Sequence, residues 1–464
     1  MGSRPSKEPD VIVIGAGAAG ISAALALNKQ GLAVTILEAR DRIGGRIFTV
    51  HDPELRAPIE LGAEFIHGRP RELWDLLTSH KIAITETDGD HWCAEDGQLR
   101  LCDFFPDVDK ILNKMDGRKP DQSFSDFLKD YESKKKNTRR EKRASVWATN
   151  YITGFNAADP ALVGVHWLVK GMRADEKIEG GRTFRAAHGY TDLIRIFQQQ
   201  LSDSEVVVHA KSVVEKVTWR PGHVEVATRC PQGTTTFSSP RVLITVPLGV
   251  LQARPDDNGA IHFDPVLPPG KQNAIRGVMM GKVIRVTLRF RERFWEKLPK
   301  SRTANSKSDS KTLDELSFLF SHDDYFPTWW TTMPQKLPFL IGWAPFHCAE
   351  RLSGKNDSFI VEQSIATLHR LLGVSTQEIE SLLQHTYFHD WQTDPFSRGA
   401  YSYGKVGEDK ANQTLGEPVS GTLFFAGEAT DVSGHNGTVH GAIASGKRVA
   451  NEIAKAAGRS ISHH

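Results

Sequence analysis

The chain predicts an α/β fold: a discontinuous, Rossmann-like domain with a mixed-sheet domain and a helical subdomain interleaved between its pieces. Three observations carry this. The chain opens on strand, glycine turn, helix and strand; its middle is rich in helix formers and charge; and the opening pattern returns near the C-terminal end. At 464 residues it can bury the core of one large composite domain or two interleaved ones.

Taken in order, Val11-Ile12-Val13-Ile14 reads as a buried parallel strand, because it is apolar at every position. A helix is expected from Ala18 to Gln30, ended by Gly31, and the next strand is Val34-Thr35-Ile36-Leu37. The unit spans about 30 residues, the usual size of a βαβ opening. Residues of about 103–200, including Ser125 to Tyr131, predict a helical subdomain. Strand patterns follow from Glu205 to Ile244 and from Val283 to Phe290. The polar stretch 299 to 315 predicts a mobile loop. Thr422 to Ala426 is strand-like, and a helix runs from Val439 to Ala457. The boundaries expected are 9–80, 205–255 and 418–464 for the nucleotide-binding domain, and 81–204 and 256–417 for the substrate-binding one.

Composition excludes several functions. Charged residues are 25% and hydrophobic ones 39%, as in an ordinary globular enzyme, and the net charge of +2 offers no field for nucleic acid or an anionic membrane. The basic stretch of Lys134, Lys135, Lys136, Arg139, Arg140, Lys142 and Arg143 reads as a solvated helix face. Cys93, Cys102, Cys230 and Cys348 form no C-x-x-C pair, so reduced thiols are expected, with neither a disulfide framework nor a zinc site. His166, His435 and His440 lack metal-ligand spacing, so no metal is expected. The polar leader with Lys7, Glu8 and Asp10 leaves no room for a signal core, and no apolar run would span a bilayer. These features predict a soluble, cytoplasmic protein.

The chemistry starts at Gly15-Ala16-Gly17-Ala18-Ala19-Gly20, which fits G-x-G-x-x-G between a strand and a helix. Gly15 permits the tight turn, Gly17 a close approach to a pyrophosphate, and Gly20 tight helix–strand packing. The helix N-terminus offers N–H groups to that phosphate. Glu38, ending the second strand, suits both ribose hydroxyls and disfavours a 2′-phosphate.

Glu38-Ala39-Arg40-Asp41-Arg42-Ile43-Gly44-Gly45-Arg46 resembles the double-glycine motif of FAD-binding amine oxidases. The resemblance extends through Leu61-Gly62-Ala63-Glu64 to Gly68, Asp390-Trp391 to Tyr403, Phe425-Ala426-Gly427-Glu428, and Gly437-Thr438-Val439-His440-Gly441-Ala442. It implies a two-lobed fold and FAD held by these motifs, with Val214 at the adenine and the helix from Val439 directed at the flavin ring. Tyr401 is similar to one wall of that family's aromatic cage, and Thr438 stands where monoamine oxidases have an opposing aromatic. This looks more like polyamine oxidases and flavin-dependent lysine demethylases; the large helical insertion of the demethylases is absent, so no chromatin role is expected. Ala400 replaces the flavin-linked cysteine, so FAD is expected to be non-covalent. His67 matches a histidine that faces the amine, Glu64 could add negative charge for an ammonium, and Trp329, Trp330 and Phe346 are expected to line or roof the pocket. Where the family has a lysine near flavin N5, the matching residue here is Arg285, which is expected to face the flavin; Lys282 could take the role only if a bulge shifted the strand.

The activity implied is hydride transfer from an amine carbon to flavin N5, with the iminium hydrolysing to an aldehyde and a smaller amine, and O2 reoxidising the flavin to give H2O2. The partners implied are a small amine and O2. A rival on the same fold, an L-amino-acid oxidase, needs a pocket arginine for the α-carboxylate, and Arg69, Arg71 and Arg398 do not obviously face inward. A non-catalytic flavoprotein scaffold is the rival from another class.

Overall fold

A computed structural model describes residues 8–95, 97–134, 138–298 and 312–459. At its centre is an all-parallel sheet of five strands, in the order Val207–His209, Val34–Leu37, Val11–Ile14, Val242–Ile244 and Leu423–Phe425. Val11–Ile14 is paired on both sides and buried at every residue, which explains its unbroken apolar run. The helix Ala18–Lys29 starts at Gly17 and stops where Gly31 turns to φ +76°. Against it packs the helix Val439–Ala456, so the first and last long helices share one core. A side chain at Gly446 would stand 2.2 Å from the Ala19 carbonyl oxygen, so their close approach needs glycine there.

Beside the parallel sheet, among the described residues, stand two further large sheets and three small ones of two or three strands. One of four strands runs Gly233–Ser239, His223–Cys230, Val213–Arg220 and His262–Asp264. One of seven strands, parallel only between Leu316–Phe320 and Asp90–Glu95, has Val283–Phe290 between Phe339–Pro345 and Leu383–Phe388. All eight residues of Val283–Phe290 are buried, including Arg285, Thr287 and Arg289 on one face. The expected helical stretch holds Phe105–Leu112, Phe124–Ser133, Arg139–Asn156, Val165–Glu176 and Thr191–Ser202, interrupted by the strand Thr183–Ala186. Thr138 and Glu141 close a capping box at the start of Arg139–Asn156.

One expectation changes, and parts of two others lie outside the described residues. Cys93 and Cys102 are joined as a disulfide, not left as thiols: Cys93 lies on Asp90–Glu95 and Cys102 directly follows its hairpin partner Gln98–Leu101, with Cα atoms 5.3 Å apart. The basic stretch is exposed as expected at Lys134, Arg139, Arg140 and Lys142, with Arg140 paired to Asp107 and the half-buried Arg143 to Glu95 and Asp103; Lys135 and Lys136 fall outside the described residues. Most of the expected mobile loop, 299 to 311, also falls outside them, and Leu313–Glu315 forms a short 3-10 turn. Among the described residues no helix is long and apolar enough to cross a membrane.

Candidate active site

One cavity of about 1100 Å³ runs from the glycine turn to the helical region. At its first end Gly15 has φ +106°, and a side chain at Gly20 would stand 2.0 Å from the Gly15 carbonyl oxygen. Gly20 therefore serves the turn from behind, outside the cavity wall, whereas Gly17, Ala18 and Ala19 line it. The space a Gly17 side chain would occupy is open, and the helix N-terminus has no side-chain cap. Its first N–H groups are thus available to an anion.

Glu38 is buried and accepts the Ala16 N–H at 2.7 Å and the Arg40 N–H at 2.8 Å, tying the turn to the second strand. Ala39, Gly44, Gly45 and Val214 stand beside it on the wall. Arg40 also reaches the wall but pairs with Asp394 at 2.6 Å. Asp394 is held well below the usual carboxylate range: His389, Arg40 and a backbone N–H outweigh the opposing effect of burial. Arg42 turns away and donates to the carbonyls of Gly45 and Ile47.

Glu428 organises the middle. It accepts from Arg46 at 2.9 Å, from the Ser402 hydroxyl at 2.6 Å and from the Gly437 N–H at 2.9 Å, and Arg46 also donates to the Ala400 carbonyl at 2.8 Å. This joins the double-glycine, substrate-side and closing motifs, far apart in sequence. Leu61, Gly62 and Ala63 border the same space, with Trp391 donating to the Leu61 carbonyl at 2.7 Å. Thr438 caps Val439–Ala456: it accepts the Gly441 N–H at 3.0 Å and donates to the His435 carbonyl at 2.7 Å. With Gly427, Val439 and Ala442 it presents that helix's positive end to the cavity.

Tyr401 lines the cavity, its hydroxyl donating to the Phe155 carbonyl at 2.8 Å and its ring resting against Gly437. Burial holds its phenol above the ordinary range. His67 lies between Phe65 and Phe155, and burial pulls its pKa down to about 4, so the imidazole is neutral at physiological pH. His440 is pulled down to about 3, by burial first and then by His435 and His67.

The placement of the remaining candidates divides them. Trp330 and Arg285 line the cavity; Lys282 and Phe346 do not. Lys282 is exposed and pairs with Glu350 at 2.7 Å. Phe346 lies tilted against the adjacent His347, and Trp329 is buried, donating to the Phe326 carbonyl. Glu64 lines the cavity, but its charge is not free for an ammonium: it pairs with Arg285 at 2.7 Å, Arg185 at 2.7 Å and the Trp330 N–H. Those two cations keep its pKa low although burial alone would raise it. Sequence reasoning missed Arg185 and the aromatic wall of Phe65, Phe104, Trp147, Phe318 and Phe320. Phe318 and Phe320, two apart on Leu316–Phe320, carried the only local signal. Among the described residues no group of acids, histidines and cysteines could hold a metal ion.

A model of the family described as flavin containing amine oxidoreductase matches residues 18–143 and 109–454. Polyamine oxidase 5 of Oryza sativa subsp. japonica is 28% identical over 467 residues, covering 94% of this chain and 86% of that protein. Lysine-specific histone demethylase 2 of Homo sapiens is 26% identical over 473 residues, covering 96% of this chain but 53% of that protein. Among solved structures, wild-type putrescine oxidase bound to putrescine matches with a TM-score of 0.77 at 20% identity, over 97% of this chain and 100% of that one, a likeness of fold.

Proposed function

The chain belongs to the flavin containing amine oxidoreductase family, and we propose that its cavity holds FAD without a covalent bond and oxidises a polyamine or monoamine with O2 as acceptor. The observation that carries this reading is the continuity of one cavity from the turn at Gly15 and Gly17 to the pocket walled by His67, Tyr401 and Thr438. The residues fit the cofactor. The open space at Gly17 and the uncapped helix N-terminus suit a pyrophosphate. Each Glu38 oxygen retains a lone pair for a ribose hydroxyl after accepting one backbone N–H. Ala400 has no thiol with which to form a flavin bond.

Bound there, FAD would supply a hydride acceptor that O2 can reoxidise, with H2O2 as the by-product. The chain's own part is to desolvate and orient. Tyr401 and the aromatic wall strip water from the amine, which favours its neutral form. Neutral His67 accepts a hydrogen bond from the amine N–H without repelling it. The helix capped by Thr438 favours negative charge on the ring edge it faces. Arg285, not the exposed Lys282, is the basic residue assigned to the ring. The iminium product then hydrolyses to an aldehyde and a released amine.

An L-amino-acid oxidase is less well supported. Among the described residues the arginines on the cavity wall are Arg40, Arg46 and Arg285, each already paired with a carboxylate. The division at 9–80, 205–255 and 418–464 remains our assignment of the FAD-binding domain, supported by a parallel sheet drawn only from those stretches. A cytoplasmic location would require the Cys93–Cys102 link to persist in a reducing compartment. The test is a peroxide-coupled screen of the FAD-loaded protein over monoamines, diamines, acetylated polyamines and L-amino acids. Turnover is expected with an amine and not with amino acids; no peroxide from any amine would refute the proposal.

A further inference from the structure

Behind the Glu64–Arg285 pair lies a second chamber of about 60 Å³. It shares Glu64 and Arg285 with the main cavity, and its polar lining also includes Glu60, Arg185, Thr287, Thr85, Thr332 and Gln335. At about 30 Å³ per molecule, that volume accommodates about two waters. The Arg285 Nε and Thr287 Oγ1 atoms are buried without any hydrogen-bond partner, on side chains of residues only 7% and 2% exposed. Polar groups so placed call for a partner that the protein does not supply.

Glu60 ends the strand Pro58–Glu60 and is 5% exposed. Its oxygens accept the Thr49 hydroxyl at 2.7 Å and the Tyr190 N–H at 2.6 Å, and neither partner is a cation. Gly189 packs so closely that a side chain there would come 2.2 Å from Glu60 Oε1. The nearby cations are committed elsewhere, because Arg285 and Arg185 both pair with Glu64. Burial pushes the Glu60 carboxyl up to about 8, and the negative charge of Glu64 adds to this against the pull of Thr49, Tyr190 and Arg285. The remaining ionisable group beside it, Tyr190, stays a phenol, held above its ordinary range by burial and by Glu60. Two arginines facing one ionised Glu64 and one protonated Glu60 carry a net charge of +1; ionising Glu60 brings the cluster to zero.

We propose that the chamber is a water site joining the Glu60 carboxylic acid to Arg285, and that Glu60 is a buried proton store whose ionisation sets the charge this cluster turns toward the cofactor cavity. On ionisation the Glu60 O–H bond breaks, the proton passes to a chamber water and on to solvent, and the carboxylate keeps the electron pair. Glu60 is thus a positioning residue that acts through Arg285. Its effect on the cofactor rests on the flavin reading above; the water site and the buried acid do not.

The experiment compares wild type with Glu60→Gln, both with FAD. In the fold Glu60 keeps its proton from its ordinary pKa of 4.5 up to about 8, whereas the unfolded chain loses it near 4.5. The wild type should therefore lose stability relative to the variant as pH rises through that window, then level off. The flavin midpoint potential should also break near the Glu60 pKa in wild type and lack that break in the variant, and a high-resolution crystal structure should contain water in the chamber. Parallel stability curves, a break that survives Glu60→Gln, or an empty chamber would each overturn the proposal. If Glu60→Gln does not fold, Thr287→Val, which removes a water partner from the chamber, should move the break upward; an unmoved break overturns the proposal equally. Failure to bind FAD would remove the flavin reading and leave the stability difference to decide the buried acid and the crystal structure to decide the water site.

Discussion

Replacing Gly17 by alanine separates the cofactor cradle from the fold. Gly17 has φ −79° and ψ −179°, a conformation open to any residue, and no atom lies within 4 Å of the place a side chain would start. The FAD-free protein should lose nothing, and the stiffer unfolded chain should add about 0.4–1 kcal/mol of stability. The same methyl projects into the cavity that Gly17 lines, where we assign the pyrophosphate. Overpacking a tight contact costs about 1–3 kcal/mol, or roughly a five- to 150-fold loss of FAD affinity at about 1.4 kcal/mol per tenfold. Gly20→Ala is the control. Its methyl would stand 2.0 Å from the Gly15 carbonyl oxygen and 2.9 Å from Thr245 Oγ1. The helix preference for alanine, about 1 kcal/mol, does not offset such a clash, so this variant should be destabilised without any ligand. Urea unfolding of the FAD-free proteins and a flavin fluorescence titration measure the two effects. Wild-type affinity in Gly17→Ala, or unfolding of that variant at lower urea than wild type, would refute the reasoning.

Four further outcomes are expected. Arg285→Met leaves Glu64 with Arg185 and Trp330, so destabilisation should sit near the lower end of the roughly 3–5 kcal/mol for a broken buried pair; a cycle with Glu64→Gln should show coupling, and strict additivity in urea unfolding would contradict it. His440, 4% exposed and pulled down to about 3, stays neutral in the fold while the unfolded chain protonates near 6.5; wild type should lose stability as pH falls through that window, and His440→Gln should lose less, which unfolding curves at several pH values would check. Tyr401→Ala should slow anaerobic flavin reduction by amine in stopped flow, and an unchanged rate would make Tyr401 a packing residue only. Lys282→Met should leave reoxidation by O2 nearly unchanged and cost at most about 1 kcal/mol, as an exposed pair does; a collapse in the reoxidation rate would return the flavin-side role from Arg285 to Lys282.

The parts legible in the sequence were those encoded locally. Val11–Ile14, Val34–Leu37 and Val283–Phe290 lie where apolar runs suggested, because a buried strand needs little but its own side chains to be recognised. Strand parity alone puts Arg285 and Lys282 on opposite faces. What stayed hidden depends on distant pairing. Trp329 and Trp330 are neighbours on opposite faces of Thr328–Trp330, and which face meets the cavity is decided by the sheet around them. Arg185 finds Glu64 across 121 positions, and nothing near either residue announces it. The Cys93–Cys102 link follows from a hairpin register that the spacing of the cysteines alone does not specify. Glu60 stands as an acid beside apolar Ile59 and Leu61, but its burial follows from contacts with Thr49 and Tyr190 that the local pattern does not encode.

The parallel sheet has a consequence for biosynthesis. Its strand Val242–Ile244 has Val11–Ile14 on one side and Leu423–Phe425 on the other, and its flanking helix Val439–Ala456 packs against Ala18–Lys29. At about 5–20 residues per second, the ribosome needs roughly 20–80 seconds to pass from the first of these strands to the last. For all that time the core of the first helix lacks its final partner, and the glycine turn stands beside an incomplete wall. Ala19, Ile21 and Ala23 can be fully covered only once the closing helix has emerged.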